Sequence, residues 1–400
     1  MKNCKVVCRL MTLAITGLVT LGSASSAMAA RSSEFAYFAD PSSNNRRALL
    51  VDWLGTTRAR VTNAIGTRLG SVVHEGALHV VTLDSPVSQP FYGADPDSCG
   101  EYPSIRQETT QIALRYVSGD VHRGTSQVIE IGTRTVLDGC DAGRSVPFGA
   151  LTDTGETMNR LAMDARPPMH DLLPGTRVAG LSEAEFPPES DDILAVDVVT
   201  LYAGGMASFS RTGHVVPAAF NAERWLVLSL GAFERAYTRL AVDRATGAET
   251  WMRAEWSGNQ ALRVVPELVV KPAAPAGFGT EHQASRVWES GLFSRSQAPF
   301  FINLYEGGTG ERVAKELSDG TETRQSITWG LAGSTVVQTR FTGPFRRERT
   351  WVPLRNHGAK VRFVMESETQ TLEDGTVRPF LLPRVNFYID RGEAVPPATP

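Results

Sequence analysis

Short apolar segments that alternate residue by residue with polar ones recur along most of this 400-residue chain, with turn residues between them. A period of two sends successive side chains to opposite faces of an extended strand, so this texture specifies sheets and leaves little room for helix. Representative segments are Ala77–Leu83, Gln111–Val117, Gln127–Val136, Tyr237–Val242, Glu249–Trp256, Thr335–Phe341 and Arg384–Ile389. Glu75-Gly76, Ser118-Gly119-Asp120, Asp243 to Gly247, Asp319-Gly320 and Asp374-Gly375 supply the residues that tight hairpins need. Helical periodicity is confined to Asn44–Leu54, Thr154–Met163 and Glu311–Leu317. The expected fold is mainly β, as antiparallel sandwich- or barrel-like units in two or three consecutive parts, with few short helices.

Two proline-rich stretches read as a long irregular crossing (164–192, whose first part is a proline strap) and as a linker or stiff inter-domain connection (266–279). They divide the chain into β-rich parts at 30–165, 190–268 and 280–400. Residues 1–29 are of another kind. Lys2, Lys5 and Arg9 precede an apolar run from Leu10 to Leu21, and Ala27-Met28-Ala29 offers a small-x-small cleavage site. That succession is the signature of a signal peptide, and the run is too short to span a bilayer. The mature product is expected to be exported, periplasmic or secreted, without a membrane span.

Losing the three basic residues of this leader takes the formal charge from −3 to −6, which argues against nucleic acid as a partner. Of the four cysteines, Cys4 and Cys8 belong to the leader. Cys99 and Cys140 remain, both in turn contexts, and in an oxidising compartment they read as one disulfide.

Catalytic motifs fail one by one. Gly180-Leu181-Ser182-Glu183-Ala184 lacks the second glycine of a nucleophile elbow. His74-Glu75-Gly76-Ala77-Leu78-His79 misses the zinc-protease spacing by one residue, which on a helix would set the rings about 140° apart. It reads as a surface hairpin with no third ligand, and no metal is expected. Asp95 to Gly100 opens like a calcium loop, but Arg106 stands where a bidentate glutamate is required. Glu249 and Glu255 on one strand face would lie about 20 Å apart, against the 5 to 9.5 Å or so of a glycosidase pair. No glycine-rich phosphate cradle is present, and no cofactor is expected.

Asp243 to Trp251 resembles the hairpin in each blade of quinoprotein-type β-propellers, but it occurs once where a propeller repeats it. It therefore reads as a single hairpin with Gly247 in a left-handed turn. Pairing 239 with 251 sets Arg239 against Trp251 and Tyr237 against Arg253, with Leu240 and Met252 on the opposite, core-facing side. Trp251, Arg239 and Arg253 would then form a partly exposed platform for an extracellular ligand. The functional expectation is an exported protein that binds an unidentified extracellular ligand or protein. The alternative is a secreted hydrolase of an extracellular polymer such as a polysaccharide.

Overall fold

Antiparallel pairing gathers the chain into three consecutive eight-strand barrel-like sheets. The computed structural model describes residues 33–38, 47–92, 104–185, 194–257, 260–273, 285–291, 300–315 and 320–395. Residues 1–29, Cys99 and the segment 95–100 lie outside these described residues.

Barrel 1 comprises β1 (Ser33–Tyr37), β2 (Ala48–Trp53), β3 (Arg58–Thr62), β4 (Thr67–Glu75), β5 (Leu78–Tyr92), β6 (Ser104–Gly119), β7 (Arg123–Val136), β8 (Ser145–Phe148) and β9 (Glu156–Ala162). Strand β7 closes the ring by pairing with β6 on one edge and β9 on the other, where β8 adds a short ninth strand. Barrel 2 comprises β10 (Arg177–Leu181), β11 (Asp197–Tyr202), β12 (Met206–Phe209), β13 (Val215–Phe220), β14 (Leu226–Ser229), β15 (Glu234–Val242), β16 (Glu249–Ser257) and β17 (Gln260–Val269). A single bridge closes it, with reciprocal Ala179–Val270 hydrogen bonds of 2.8 and 3.1 Å. Gly180, beside that bridge, has φ of 112°, and a Cβ there would fall 2.5 Å from the Leu268 carbonyl oxygen. Only glycine lets the two backbones approach this closely. Barrel 3 comprises β18 (Arg286–Ser290), β19 (Phe301–Leu304), β20 (Thr309–Lys315), β21 (Glu322–Ala332), β22 (Thr335–Thr342), β23 (Phe345–His357), β24 (Val361–Thr371) and β25 (Val377–Glu393), and β18–β25 pairing closes it.

The mainly β, barrel-like expectation therefore holds, and the three helical stretches are corrected. Their described residues fall mainly in β2, β9 and β20, each paired on both edges. Ala48 to Val51 is buried on both strand faces, since one face lines barrel 1 and the other meets barrel 2. Burial on both sides erases the alternation that marks a strand. Among the described residues, helix is limited to two three-residue turns, Met163–Ala165 and Glu306–Gly308. Strand β10 lies inside the proline-rich stretch and belongs to barrel 2 through its pairing with β11.

Strand β17 joins the three units. Its first half packs on barrel 1, where the Val264 amide donates to the Asn63 carbonyl at 3.0 Å and Phe35, Leu161, Trp225, Met252 and Val264 form a shared core. Its second half, with Ala179 and Val198, packs on Leu354, Phe363 and Val385 of barrel 3.

An eight-strand barrel is just wide enough inside for side chains to fill. Each interior here combines an apolar layer with a charged one. In barrel 1 the buried Glu34 carboxylate accepts from Trp53 Nε1 at 3.2 Å and from the Tyr116 hydroxyl, with Arg160 at 3.5 Å. In barrel 2, Arg235 faces Glu255 at 3.5 Å and Arg253 faces Glu267 at 2.7 Å. In barrel 3, Glu366 accepts from Asn386 Nδ2 at 2.6 Å and Tyr388 Oη at 3.1 Å and pairs with Arg349 at 2.9 Å. Glu368 pairs with Arg340 at 2.6 Å and Arg349 at 2.7 Å.

Burial is the largest influence on the Glu366 and Glu368 carboxyls and pushes both upward. Arg349 with Arg384, and Arg349 with Arg340, outweigh it together with the hydrogen bonds, so both groups are held below the ordinary value of 4.5. A depressed carboxyl stabilises the fold above its unfolded pKa and loses that contribution as pH falls through its folded one. The neutral isostere Glu366→Gln should lower the denaturation midpoint at pH 7, and its gap from the parent should shrink below about pH 4.5. Denaturant titrations from pH 3 to 7 measure the gap; a constant difference would show that the charge contributes nothing.

Candidate functional site: a cleft between the first two barrels

The sequence-derived platform has the expected pairing and the wrong surroundings. Arg239 pairs with Trp251, Tyr237 with Arg253 and Arg235 with Glu255, and Leu240 is the extra residue of a bulge. Trp251 and Arg253 are nevertheless 0% exposed and Arg239 5%. The face that carries them turns into the lumen of barrel 2, and the opposite face, with Leu240 and Met252, packs on barrel 1. The chain between β9 and β10 then caps the lumen. Arg239 donates to the Pro168 carbonyl at 2.6 Å and to Asp171 at 3.0 Å, while Glu249 accepts from Arg239 Nε and Trp251 Nε1, both at 2.8 Å. The platform is a lumen filling, not a ligand-facing surface.

Other sequence candidates are equally occupied. His74 and His79 pair directly across the β4–β5 hairpin, with Nδ1 atoms 2.7 Å apart, but His79 is buried between Trp53 and Tyr116 and is no surface histidine. Ser182 is buried, its amide donating to the Tyr237 hydroxyl at 2.8 Å and its carbonyl accepting from it at 3.0 Å. Among the described residues, no group of three or more His, Cys, Asp or Glu side chains could hold a metal ion. Cys140 lies in the turn after β7.

Concave surface appears instead where barrels 1 and 2 meet, in a cleft of about 1050 Å³. One wall comes from barrel 1, with Ser33, Asp52, Trp53 and Arg60 on β1–β3 and His122 in the β6–β7 turn. The floor is the proline strap from Ala162 to His170. The other wall is Phe220, Glu223, Arg224, Thr238 and Trp256 of barrel 2. A smaller cavity of about 290 Å³ opens beside β7, where burial pushes the Glu130 carboxyl up against the influence of Arg47 and Arg134.

The cleft is held by groups that satisfy one another. Asp52 accepts from Ser33 Oγ at 2.6 Å and faces Arg60 at 3.5 Å; burial is the larger influence and raises its pKa. His122 lies 3.5 Å from Asp164. Arg166 ties the strap down by donating to the Met163 carbonyl at 2.6 Å, to Thr238 Oγ1 at 2.8 Å and to the Glu223 carbonyl, and it covers the Trp225 ring at 5.5 Å. Burial pulls its pKa down to about 10.

Arg224 has an unusual backbone. Its φ of 64° lies in the left-handed region, and among the described residues only Ser285 is another non-glycine residue with positive φ. The turn that imposes it runs from Asn221 to Trp225. Asn221 Oδ1 accepts the Trp225 amide at 2.9 Å, and its carbonyl accepts the Arg224 amide at 2.9 Å. Such a conformation costs about 1 kcal/mol or more for a residue with a Cβ, and strained backbone concentrates at functional sites. Sequence reading missed this residue because an Ala-Glu-Arg-Trp run carries no turn signal.

No known protein family, curated protein or solved structure matches this chain.

Replacing Arg166 with methionine keeps the stem but removes three hydrogen bonds. The expected destabilisation is about 2–3 kcal/mol, with faster protease cleavage between 163 and 176, read by limited digestion. Unchanged cleavage would mean that the prolines alone hold the strap.

Proposed function

We propose that the chain is an exported binding protein whose inter-barrel cleft takes a neutral, polyhydroxylated ligand, an extracellular oligosaccharide. The strained Arg224 on the wall of the cleft carries this reading, because glycine would suit the backbone there and only the side chain accounts for arginine. Cleft chemistry supports a neutral ligand. Asp52, Asp164 and Glu223 balance Arg60, Arg166 and Arg224, so donors and acceptors are abundant while net charge is not. Phe220 offers an exposed ring face, and the volume is at the upper end for small-ligand sites.

The test uses the mature chain and neutral cello-, xylo- and chito-oligosaccharides in isothermal titration. Arg224→Gly should hold or raise thermal stability by about 1 kcal/mol while weakening binding at least tenfold or so. Phe220, 46% exposed, should on replacement by alanine weaken binding with little change in stability. If no oligosaccharide binds, or if Arg224→Gly binds as the parent does, the cleft is not the site. One observation favours the hydrolase alternative: the raised Asp52 carboxyl suits a general acid. On that reading oligosaccharides are cleaved, and Asp52→Asn abolishes turnover while preserving binding.

Export through the leader ending at Ala29, and a Cys99–Cys140 disulfide, belong to the same proposal. The bond would close a loop of about 40 residues, worth roughly 4 kcal/mol in the chain-entropy model. Exported protein should begin near Ala30 and resist alkylation of either thiol until reduced; two freely alkylated thiols would rule the bond out.

A further inference from the structure

Barrel 3 carries more positive charge inside than its carboxylates neutralise. In barrel 2 every interior cation faces an acid: Arg235 and Arg263 face Glu255, Arg253 faces Glu267, and Arg239 and Lys271 share Asp171 and Glu249. In barrel 3, alternation from the buried Ile302, Val336 and Trp351 turns Arg312, Arg340, Arg347 and Arg349 inward, and Arg384 joins them from β25. Among the described residues, Glu366 and Glu368 form ion pairs only with Arg340, Arg349 and Arg384. Arg312 and Arg347 have no acid partner among the described residues; their guanidinium groups lie over Phe300 at 4.7 Å and Phe380 at 3.6 Å.

We propose that this end of barrel 3 binds a tetrahedral dianion, phosphate or sulfate, through Arg312, Arg340, Arg347 and Gln338.

Three observations carry the assignment. Arg340 and Arg347 are direct cross-strand partners, and like charges placed opposite one another destabilise a sheet unless a counter-charge lies between them. Gln338, 4% exposed, stands opposite Arg349 one step further in, and its Nε2 has no acceptor. A buried amide donor left unmade is costly. The Nε atoms of Arg312, Arg340 and Arg347 are likewise buried without an acceptor. Arg312 and Arg340 feel each other's charge, as do Arg340 and Arg347, so one acceptor-only group among them could satisfy the unused donors. Tetrahedral oxyanions fit that role, offering several oxygens to planar forks. Burial and the neighbouring arginines outweigh the opposing influence of Tyr388 and Glu368 and pull Arg312 down to about 10.

This site is separate from the cleft, and its test does not depend on oligosaccharide binding. The full mature chain, freed of phosphate, is titrated with inorganic phosphate, inorganic sulfate and glucose 6-phosphate against chloride at equal ionic strength. Binding by calorimetry and a rise in melting temperature with at least one of the three, beyond any chloride effect, are expected. Tighter binding of the ester than of free phosphate identifies a phosphorylated ligand as the source, and the reverse order identifies the free ion. Arg312→Gln and Arg347→Gln should each weaken binding at least about tenfold. Without anion they should melt no lower than the parent, because each removes unneutralised charge. Gln338→Met, which alters no charge, should weaken binding several-fold and leave the salt dependence unchanged. It also serves as the decisive variant should an arginine replacement fail to fold. Equal shifts with chloride, or parent-like affinity in Gln338→Met and in the folded arginine variants, would overturn the assignment.

Discussion

Closing eight antiparallel strands into a ring imposes one demand on everything else here: the lumen must be filled, and it is narrow. Strand alternation sends every second side chain inward, so the filling is written into the same residues that define the strands. Apolar side chains fill one layer of each lumen, and ionised groups that must neutralise one another fill another. A buried ion pair offsets its own desolvation only when geometry is good and remaining donors are satisfied. In barrels 1 and 2 the interior arginines Arg160, Arg235 and Arg253 each face a carboxylate. Barrel 3 departs from that pattern, and the departure is legible only as a comparison among three solutions to one problem in a single chain.

The same alternation explains what the sequence revealed and what it hid. Hairpins whose two faces alternate in polarity were readable: β4–β5, β6–β7 and β15–β16 pair where the apolar pattern and turn residues placed them. Even the pairing of Arg239 with Trp251 was accessible, because both faces of that hairpin obey the period of two. Solvent exposure was not accessible. A polar strand face looks alike whether it meets water or a lumen closed by six other strands, and Trp251, Arg253 and Glu249 show how far that ambiguity misleads. Strands buried on both faces, such as β2, fail in the opposite way, since their continuous apolar run has no period to read.

The cleft was invisible for a different reason. Its walls come from β1–β3, the β6–β7 turn, the proline strap and β13–β16, segments that no local pattern connects. What assembles it is the outward face of β17, whose sequence satisfies barrel 1 along one half and barrel 3 along the other. The prolines of the strap, read from sequence as an irregular crossing, acquire a role only once barrel 1 and barrel 2 sit side by side. Pro168 and Asp171 cap one lumen while Arg166, two residues before, pins the cleft floor. One irregular segment therefore fixes both the closure of barrel 2 and the shape of the cleft.

This economy limits how the first two barrels can move. Arg166 bonds to Thr238 on β15, and Arg239, the next residue along, bonds to the strap at Pro168 and Asp171. A hinge between barrels 1 and 2 would have to break both sets together, along with the shared Phe35–Trp225–Trp256 aromatic contact. Wide opening of the cleft is therefore disfavoured. Adjustment falls instead to the Asn221–Trp225 turn, where Arg224 stores backbone strain, and to exposed rim side chains such as His122 and His170. Under the proposed function, a cleft of this kind would discriminate by preformed shape. That is the behaviour expected of a rigid receptor, because little ordering entropy remains to be lost on binding.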